Sequence, residues 1–324
     1  MHRTFVRIAR TATLLALLVV VIGAWVRLTD AGLGCPDWPG CYGQLVVSAG
    51  IASDPATAEL REARPLDAGK AWREMIHRYL ASALGLLCVA LAVIGVRNRA
   101  EPGQPWRTPL VLLGLVGFQG LLGMWTVTLL LKPIIVVAHL LGGFATLALL
   151  FWLARANAAP VATDRGLKAL GLAVLALLGL QIALGGWTSA NYAALACPDF
   201  PTCQTQWWPG IADFDEAFVL WRGVGIDYEG GILDHPARVA VHFTHRLGAV
   251  LAALGVGLFG ALLARRAATR AAGAAILAAL AGQLAIGIGI VLLEVPLWLA
   301  VAHNGVAALL LLTMVNAHRR IWQR

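Results

Sequence analysis

The chain has 324 residues, of which 59% are hydrophobic and only 13% are charged, and its mean hydropathy is +0.76. Soluble domains carry about 25% charged residues. This composition therefore excludes a soluble enzyme, a disordered chain and a small disulfide-rich secreted domain. The sequence predicts a polytopic membrane protein.

Apolar segments long enough to cross a bilayer as helices recur along the chain. Eight can be delimited, at about 11–29, 75–96, 108–129, 135–154, 169–189, 239–264, 271–293 and 297–316. No small-x-small cleavage site follows the first apolar core, so we interpret it as a retained helix and not as a signal peptide. The predicted fold is an all-α membrane protein with eight transmembrane helices.

The net charge of +8 is explained by the placement of the basic residues. Fifteen Lys and Arg residues and only two acidic residues lie at the termini and in alternate short loops, whereas ten basic and 15 acidic residues lie on the other side. Short Arg-rich loops are typical of the cytoplasmic face. We therefore expect both termini in the cytoplasm and no nucleic-acid partner.

The two halves of the chain are similar at a nearly constant offset, which indicates an internal duplication. Residues 23–41 (GAWVRLTDAGLGCPDWPGC) and 185–203 (GGWTSANYAALACPDFPTC) are identical at nine of 19 positions. Three shorter matches follow in the same order: His77-Arg78 with His245-Arg246, Gln119-x3-Gly123 with Gln283-x3-Gly287, and Val-Ala-His at 137–139 with 301–303.

Each copy contains four helices, so both copies have the same orientation in the membrane. The sequence predicts two tandem four-helix bundles, 1–160 and 161–324, related by a pseudo-twofold axis along the membrane normal. Each bundle carries one long outer loop, at 30–74 and 190–238. Loops of this length in a compact protein are usually functional or disordered, and their equivalent positions favour function.

Four of the eight histidines belong to the repeat and lie near the outer ends of their helices: His77, His139, His245 and His303. Ligand-type residues inside membrane helices are rare and indicate function. We expect one facing pair per bundle, because two imidazoles on facing helices can hold a haem iron from both sides. The expected pairs are His77 with His139 and His245 with His303. Of the other four histidines, His2, His235 and His318 are interpreted as residues of a terminus or of loops.

Charged residues accompany the first histidine of each pair. Arg78 and Arg246 follow it directly, where they either pair with haem propionates or reach the interface as ordinary arginines. Glu74 lies three residues before His77 on the same helix face, and the equivalent position is His242. A carboxyl beside a haem can accept a proton or stabilise positive charge. This asymmetry predicts a reactive first bundle and a permanent cofactor in the second.

Four of the five cysteines form two C-x5-C pairs in the outer loops, Cys35 with Cys41 and Cys197 with Cys203. The outside of a bacterial inner membrane is oxidising, which favours a disulfide within each pair, although the sequence leaves other pairings open. A structural and a redox role are equally open for the first pair. Cys88, in mid-helix, is interpreted as a packing residue.

These features together resemble the haem A synthase family over nearly the whole chain. The resemblance rests on the two four-helix halves, the E-x-x-H-R of Glu74 to Arg78, the second H-R at His245-Arg246, the two V-A-H motifs and the outer cysteine pairs. It is closest to the bacterial type with cysteines in both halves. The resemblance implies oxidation of a methyl group of haem O to a formyl, through a hydroxymethyl intermediate, to supply haem A for cytochrome oxidase.

The resemblance also implies roles for individual residues. Glu74 would be catalytic, and Cys35 and Cys41 would be linked to activity. The haem O substrate would lie at His77 and His139 with Arg78, and a haem b cofactor would be held by His245 and His303 with Arg246. All four histidines are thus candidate iron ligands.

The location and partners are expected from the same resemblance. We expect a multi-pass protein of the bacterial inner membrane with its haem sites near the periplasmic side. Haem O is the expected substrate, a haem O synthase the expected upstream partner, and a membrane electron donor or acceptor is required but not identified. The sequence leaves homo-oligomer formation open.

Three other classes of function fit the sequence less well. A di-haem b electron-transfer cytochrome explains the four histidines but not the difference between Glu74 and His242. A disulfide-generating oxidoreductase usually has C-x-x-C spacing and needs no paired histidines. A transporter would place its polar residues near the midplane of the membrane and not at one face.

Overall fold

The structure, a computed structural model, describes residues 3–156 and 158–322. His2 and Arg324 therefore lie outside the described residues. The described helices are α1 (Arg3–Leu28), α2 (Ala58–Ala63), α3 (Ala68–Arg97), α4 (Arg107–Thr128), α5 (Pro133–Ala154), α6 (Arg165–Ala190), α7 (Phe214–Ala217), α8 (His235–Ala264), α9 (Arg270–Leu292) and α10 (Leu297–Trp322), with 3-10 turns at Ala49–Ala52, Pro55–Thr57 and Ala267–Thr269.

Eight helices of the described part are long and apolar enough to cross a membrane, namely all except α2 and α7. The predicted all-α architecture with eight transmembrane helices is confirmed. Over the same residues no β-strand forms, and only two isolated bridges occur, Cys41 with Gln44 and Cys203 with Gln206.

Several helices extend beyond the predicted apolar segments because polar residues cap them in water. α3 begins at Ala68 and α8 at His235, where the side chains of Asp67 and Asp234 accept hydrogen bonds from the backbone N–H of Lys70 and Ala237. Such N-caps stabilise the first turn of a helix. The outer loops are correspondingly shorter than 30–74 and 190–238, and they contain α2 and α7.

Two of the histidines assigned to loops were placed wrongly. His235 is the first residue of α8, and His318 lies within α10. The His318 ring is buried, stacks on Phe259 and lies 3.2 Å from the carbonyl oxygen of Gly171. The apolar pattern ended near 316, whereas the helix continues through the basic residues of its last turn.

The transmembrane helices form two groups. In the first group α1 and α4 each contact α3 and α5, in the second group α6 and α9 each contact α8 and α10, and the groups meet through α1 with α10, α5 with α6, and α5 with α10. One apolar core runs through both groups and includes Phe144, Val174, Phe259 and Met314. This grouping supports the predicted division near residue 160, and the pseudo-twofold axis stays a prediction.

The outer loop of the second group also reaches the first group. Tyr228 donates a backbone hydrogen bond to the carbonyl oxygen of Leu130 (3.0 Å), and Lys132, only 1% exposed, donates to the carbonyl oxygens of Arg222 (2.7 Å) and Gly223. We name residues 221–229 the crossing segment. It covers the α4–α5 turn at the loop-rich end of the first group.

Candidate active site

The four repeated histidines lie inside the helix groups, two in each. His77 lies on α3 and His139 on α5, and both of these helices contact α1 and α4; His245 lies on α8 and His303 on α10, and both of these helices contact α6 and α9. The four helices that carry the histidines begin at the loop-rich end, and each histidine lies within about three turns of that end. The structure therefore places the two histidines of each predicted pair on two different helices of one group, at a similar depth.

A glycine of a neighbouring helix lies against each imidazole. A Cβ atom built on Gly23 would lie 2.9 Å from Cε1 of His77, and one on Gly185 would lie 3.2 Å from Cε1 of His245. The corresponding distances are 3.6 Å from Gly123 to His139 and 3.1 Å from Gly287 to His303. The glycines thus provide the space that the rings occupy beside α1, α6, α4 and α9.

The hydrogen bonds of the rings test whether these residues fit a haem. Nδ1 of His77, His139 and His303 is buried without a hydrogen-bond partner. Buried polar atoms are normally paired, so unpaired imidazole nitrogens indicate a ligand site. Two imidazoles from facing helices in each group, each with room beside it, fit the donor set of a haem with two axial histidines. Among the described residues, no group of three or more His, Cys, Asp or Glu side chains is arranged to hold a metal ion.

Glu74 connects the first histidine helix to the first cysteine loop. Its side chain is 5% exposed, Oε2 accepts a hydrogen bond from the backbone N–H of Cys35 (2.8 Å), and Oε1 pairs with Nη2 of Arg78 (2.5 Å). A buried carboxylate is tolerated when it is paired and hydrogen-bonded in this way. Glu74 therefore joins the cysteine loop to α3, the helix that also carries His77.

His242 makes the equivalent contacts in the second group with a neutral ring in place of a carboxylate. It is 5% exposed, its Nδ1 lies 3.2 Å from the backbone nitrogen of Cys197 and its Nε2 lies 3.3 Å from Nε of Arg246, and a neutral ring accepts a hydrogen bond at one of these two nitrogens. The same position thus caps a cysteine loop in both groups, but only the first places an acidic group there.

Arg78 and Arg246 bind the cysteine loops. Nη1 of Arg78 donates to the carbonyl oxygens of Asp37 (3.1 Å), Pro39 (3.2 Å) and Gly40 (2.5 Å). Arg246 donates in the same way to the carbonyl oxygens of Asp199, Thr202 and Cys197. From the sequence, each arginine was expected either to pair with haem propionates or to reach the interface, and neither role describes these contacts. The propionate role of both arginines stays a prediction.

The cysteine loops are closed by disulfides, as the sequence favoured. Cys35 bonds to Cys41 (2.05 Å) and Cys197 to Cys203 (1.95 Å), while Cys88 is free and buried. The aspartate of each C-P-D accepts backbone hydrogen bonds across its loop: Asp37 from Tyr42 and Gly43, and Asp199 from Gln204 and Thr205. Burial raises the pKa of Asp199, but the hydrogen bonds outweigh it, so the pKa lies below its ordinary value.

Several residues that surround the imidazoles were not predicted from the sequence. These are the four glycines named above and the glutamines Gln181 and Gln283. The repeated Q-x3-G at 119–123 and 283–287 was a signal for them, because residues four apart share a helix face. Nothing in the sequence alone indicated which imidazole that face would meet.

Comparison with known proteins identifies the family of this chain. The model of the COX15-CtaA family, described as cytochrome oxidase assembly protein, matches residues 7–315. A protein of Shewanella oneidensis named Heme A synthase is 42% identical over 97% of this chain and 96% of its own length. Proteins of the same name from Paracoccus denitrificans and Sphingopyxis alaskensis are 32% and 29% identical over 92% and 96% of this chain, and over 82% and 90% of their own lengths. The chain therefore belongs to the COX15-CtaA family of cytochrome oxidase assembly proteins.

Proposed function

We propose that this chain is a haem A synthase, an oxidoreductase that converts the methyl group of haem O to a formyl. The observation that carries the proposal is the placement of two buried histidines in each helix group, each beside a glycine of a neighbouring helix, in a chain that matches a Heme A synthase along almost its whole length. Conversion of a methyl to a formyl is a four-electron oxidation of that carbon. The reaction therefore needs a redox partner and groups that take up the protons of the methyl group.

The two groups of helices would have different tasks. His77 and His139 would hold the substrate haem O beside Glu74, and His245 and His303 would hold a haem b. A bound haem supplies the redox-active iron that oxidation of an unactivated methyl requires. The support for this division is that an acidic side chain is buried near the first pair, whereas neutral His242 has its place near the second.

Glu74 and the cysteine loop would act on the substrate side. With Arg78 and the Cys35 N–H at its two oxygens, the carboxylate is held in one orientation and its charge is compensated. It is a candidate proton acceptor at a fixed position. The Cys35–Cys41 disulfide would affect the reaction through this hydrogen bond.

The proposal extends to location and partners. Eight apolar helices make the chain a multi-pass membrane protein. The Arg-rich loops support an inner-membrane orientation with both termini cytoplasmic, which would place the histidine pairs near the periplasm. A haem O synthase would supply the substrate, a membrane electron carrier would complete the redox cycle, and oligomer formation is left open.

Analysis of the bound haems tests the proposal. The full chain is expressed in cells that make haem O, and its haems are extracted and identified by chromatography and mass. Haem b together with haem O, its hydroxylated form or haem A is the expected result. Haem b alone would instead support the di-haem electron-transfer cytochrome, which the two histidine pairs also accommodate. A preparation without any haem would contradict both.

A further inference from the structure

The two histidine pairs differ in their hydrogen-bond partners. Nε2 of Gln181 on α6 lies 3.1 Å from Nδ1 of His245 and donates to the carbonyl oxygen of the same residue (3.1 Å). Nε2 of Gln283 on α9 lies 3.1 Å from Nε2 of His303. His77 and His139 have no hydrogen-bond partner within the described residues, and their Nδ1 atoms are buried.

A coupled difference in sequence explains the first contact. Three residues after His245, Gly248 leaves room for the amide, since a Cβ there would lie 2.3 Å from Oε1 of Gln181. In the first copy the equivalent positions are Val19 for Gln181 and Leu80 for Gly248. A polar residue facing a glycine in one copy is thus replaced by two apolar residues in the other.

A second coupled difference explains why Gln119 does not contact a histidine although it is equivalent to Gln283. Gly142, three residues after His139, lets the Gln119 side chain lie against α5, where a Cβ on Gly142 would be 1.8 Å from Nε2 of Gln119. The equivalent residue in the second copy is Val306, whose side chain takes the place of the glycine hydrogen. Gln283 consequently reaches the imidazole, whereas Nε2 of Gln119 stays unpartnered.

We propose that Gln181 is a positioning residue that holds the His245 imidazole through Nδ1 and thereby makes the second histidine pair a fixed, retentive haem site. The inference rests on the proposed function and adds a reason for the difference between the sites. An amide offers both a donor and an acceptor, so Gln181 can serve Nδ1 in either tautomer, and its buried Oε1 has no other partner. An imidazole that binds iron through Nε2 carries its proton on Nδ1, and the Gln181 amide, turned so that Oε1 accepts from Nδ1–H, would orient the ring and raise its basicity. The first pair lacks such a partner, which suits a site that must admit a substrate and release a product.

Two variants of the full-length protein with opposite chemistry test the proposal. Gln181→Leu removes the amide at nearly unchanged size, and Gln181→Glu replaces it with a stronger acceptor for an Nδ1–H. A more basic imidazole favours ferric iron, so the midpoint potential of haem b should rise in Gln181→Leu and fall in Gln181→Glu. Gln181→Leu should also lose haem b more readily, by about 10- to 100-fold in affinity. A purely structural role would not move the potential in opposite directions.

Matched controls make each outcome decisive. Gln119→Leu removes a membrane-embedded glutamine that contacts no imidazole and should leave the haem b potential unchanged. If Gln181→Leu fails to accumulate, Gly248→Leu, which copies Leu80 of the first copy, displaces the amide instead and should raise the potential. Unchanged potential and retention in the Gln181 variants, with haem b lost in His245→Ala, would overturn the inference alone. Absence of haem b from the unaltered protein would overturn the proposed function and the inference with it.

Discussion

Glu74 and His242 make the same contacts with different chemistry. Each is buried, and each lies within hydrogen-bond distance of the backbone N–H of the first cysteine of its loop and of the arginine four residues later. Because the contacts match, the structural need at this position is met by either side chain. The negative charge of Glu74 is therefore not needed for these contacts and is available for the reaction.

Glu74→Gln separates the structural contact from the charge. The amide oxygen can still accept from the Cys35 N–H, so the loop should stay in place while the proton acceptor is lost. We expect turnover of haem O to fall by about 100- to 10,000-fold, the usual contribution of general acid–base catalysis, with haem b content unchanged. Product analysis and the optical spectrum measure the two quantities. His242→Gln, the matched change in the second copy, should not reduce turnover comparably, and equal loss in both variants would contradict the assigned role.

The glycines beside the imidazoles give a second prediction at this scale. In Gly23→Ala the new Cβ would meet His77 at 2.9 Å, so the ring must move, whereas in Gly123→Ala it would meet His139 at an ordinary 3.6 Å. We expect Gly23→Ala to lose most haem O conversion and to retain haem b. Gly123→Ala is the control and should keep most of its turnover. Full activity of Gly23→Ala would show that the ring position beside α1 is not required.

At the scale of elements, the helices were predictable and the loops were not. Runs of apolar residues located all eight spans, because a bilayer imposes length and composition on every helix. The residues that extend α3, α8 and α10 are polar, so the apolar pattern missed them. The crossing segment has no periodic pattern at all, and its position depends on contacts with distant residues such as Leu130 and Lys132.

Ion pairs attach the crossing segment to the first outer loop. Arg64 pairs with Glu229 and, at 2.7 Å, with Asp227, while Lys70 pairs with Glu229 at 3.2 Å. Burial raises the pKa of Glu229, but the hydrogen bonds and charges of Arg64 and Lys70 outweigh it, so the pKa lies below its ordinary value. A carboxyl with a depressed pKa stabilises the folded arrangement above about pH 4.3 and loses that effect as the pH falls through the folded value.

We therefore expect attachment of the crossing segment to weaken in acid and in high salt. The effect should be about 1 kcal/mol or less, because the pairs are partly exposed and screened. Hydrogen exchange of residues 221–229, corrected for intrinsic rates, should show a protection difference between wild type and Glu229→Gln at neutral pH that vanishes at pH values below the depressed pKa of Glu229. A difference that persists there would exclude the Glu229 charge as its source.

At the scale of the whole molecule, residues one repeat apart meet where the two groups join. Nη2 of Arg27 donates to the carbonyl oxygen of Ser189 (2.7 Å), and the hydroxyl of Tyr192 donates to Asp30 (2.6 Å). Both pairs are 162 residues apart, the offset of the first repeat motif. Contacts between equivalent positions are expected beside a twofold axis, so they support the predicted pseudo-symmetry.

The sequence predicted the repeated parts of the candidate site and one of its asymmetries. Histidines, arginines and cysteines stand out because they recur in both copies, and Glu74 stands out because His242 replaces it. The exchange of Val19 and Leu80 for Gln181 and Gly248 was not recognised. Each of these residues is ordinary in a membrane helix, and the coupling appears only when two helices are packed together.

This coupling predicts that the first site can be given the partner of the second. In Val19→Gln/Leu80→Gly, the glycine provides space for the new amide beside His77, as Gly248 does for Gln181 beside His245. A held imidazole retains its haem more strongly, so we expect more haem per chain after purification and slower product release, by about tenfold.

Haem extraction and multiple-turnover assays measure both effects, and Leu80→Gly alone is the control for the added space. Because release and not the oxidation itself would be slowed, the first turnover should stay close to the wild-type rate. Unchanged haem content in a stably folded double variant would show that the missing amide is not what makes the first site exchangeable.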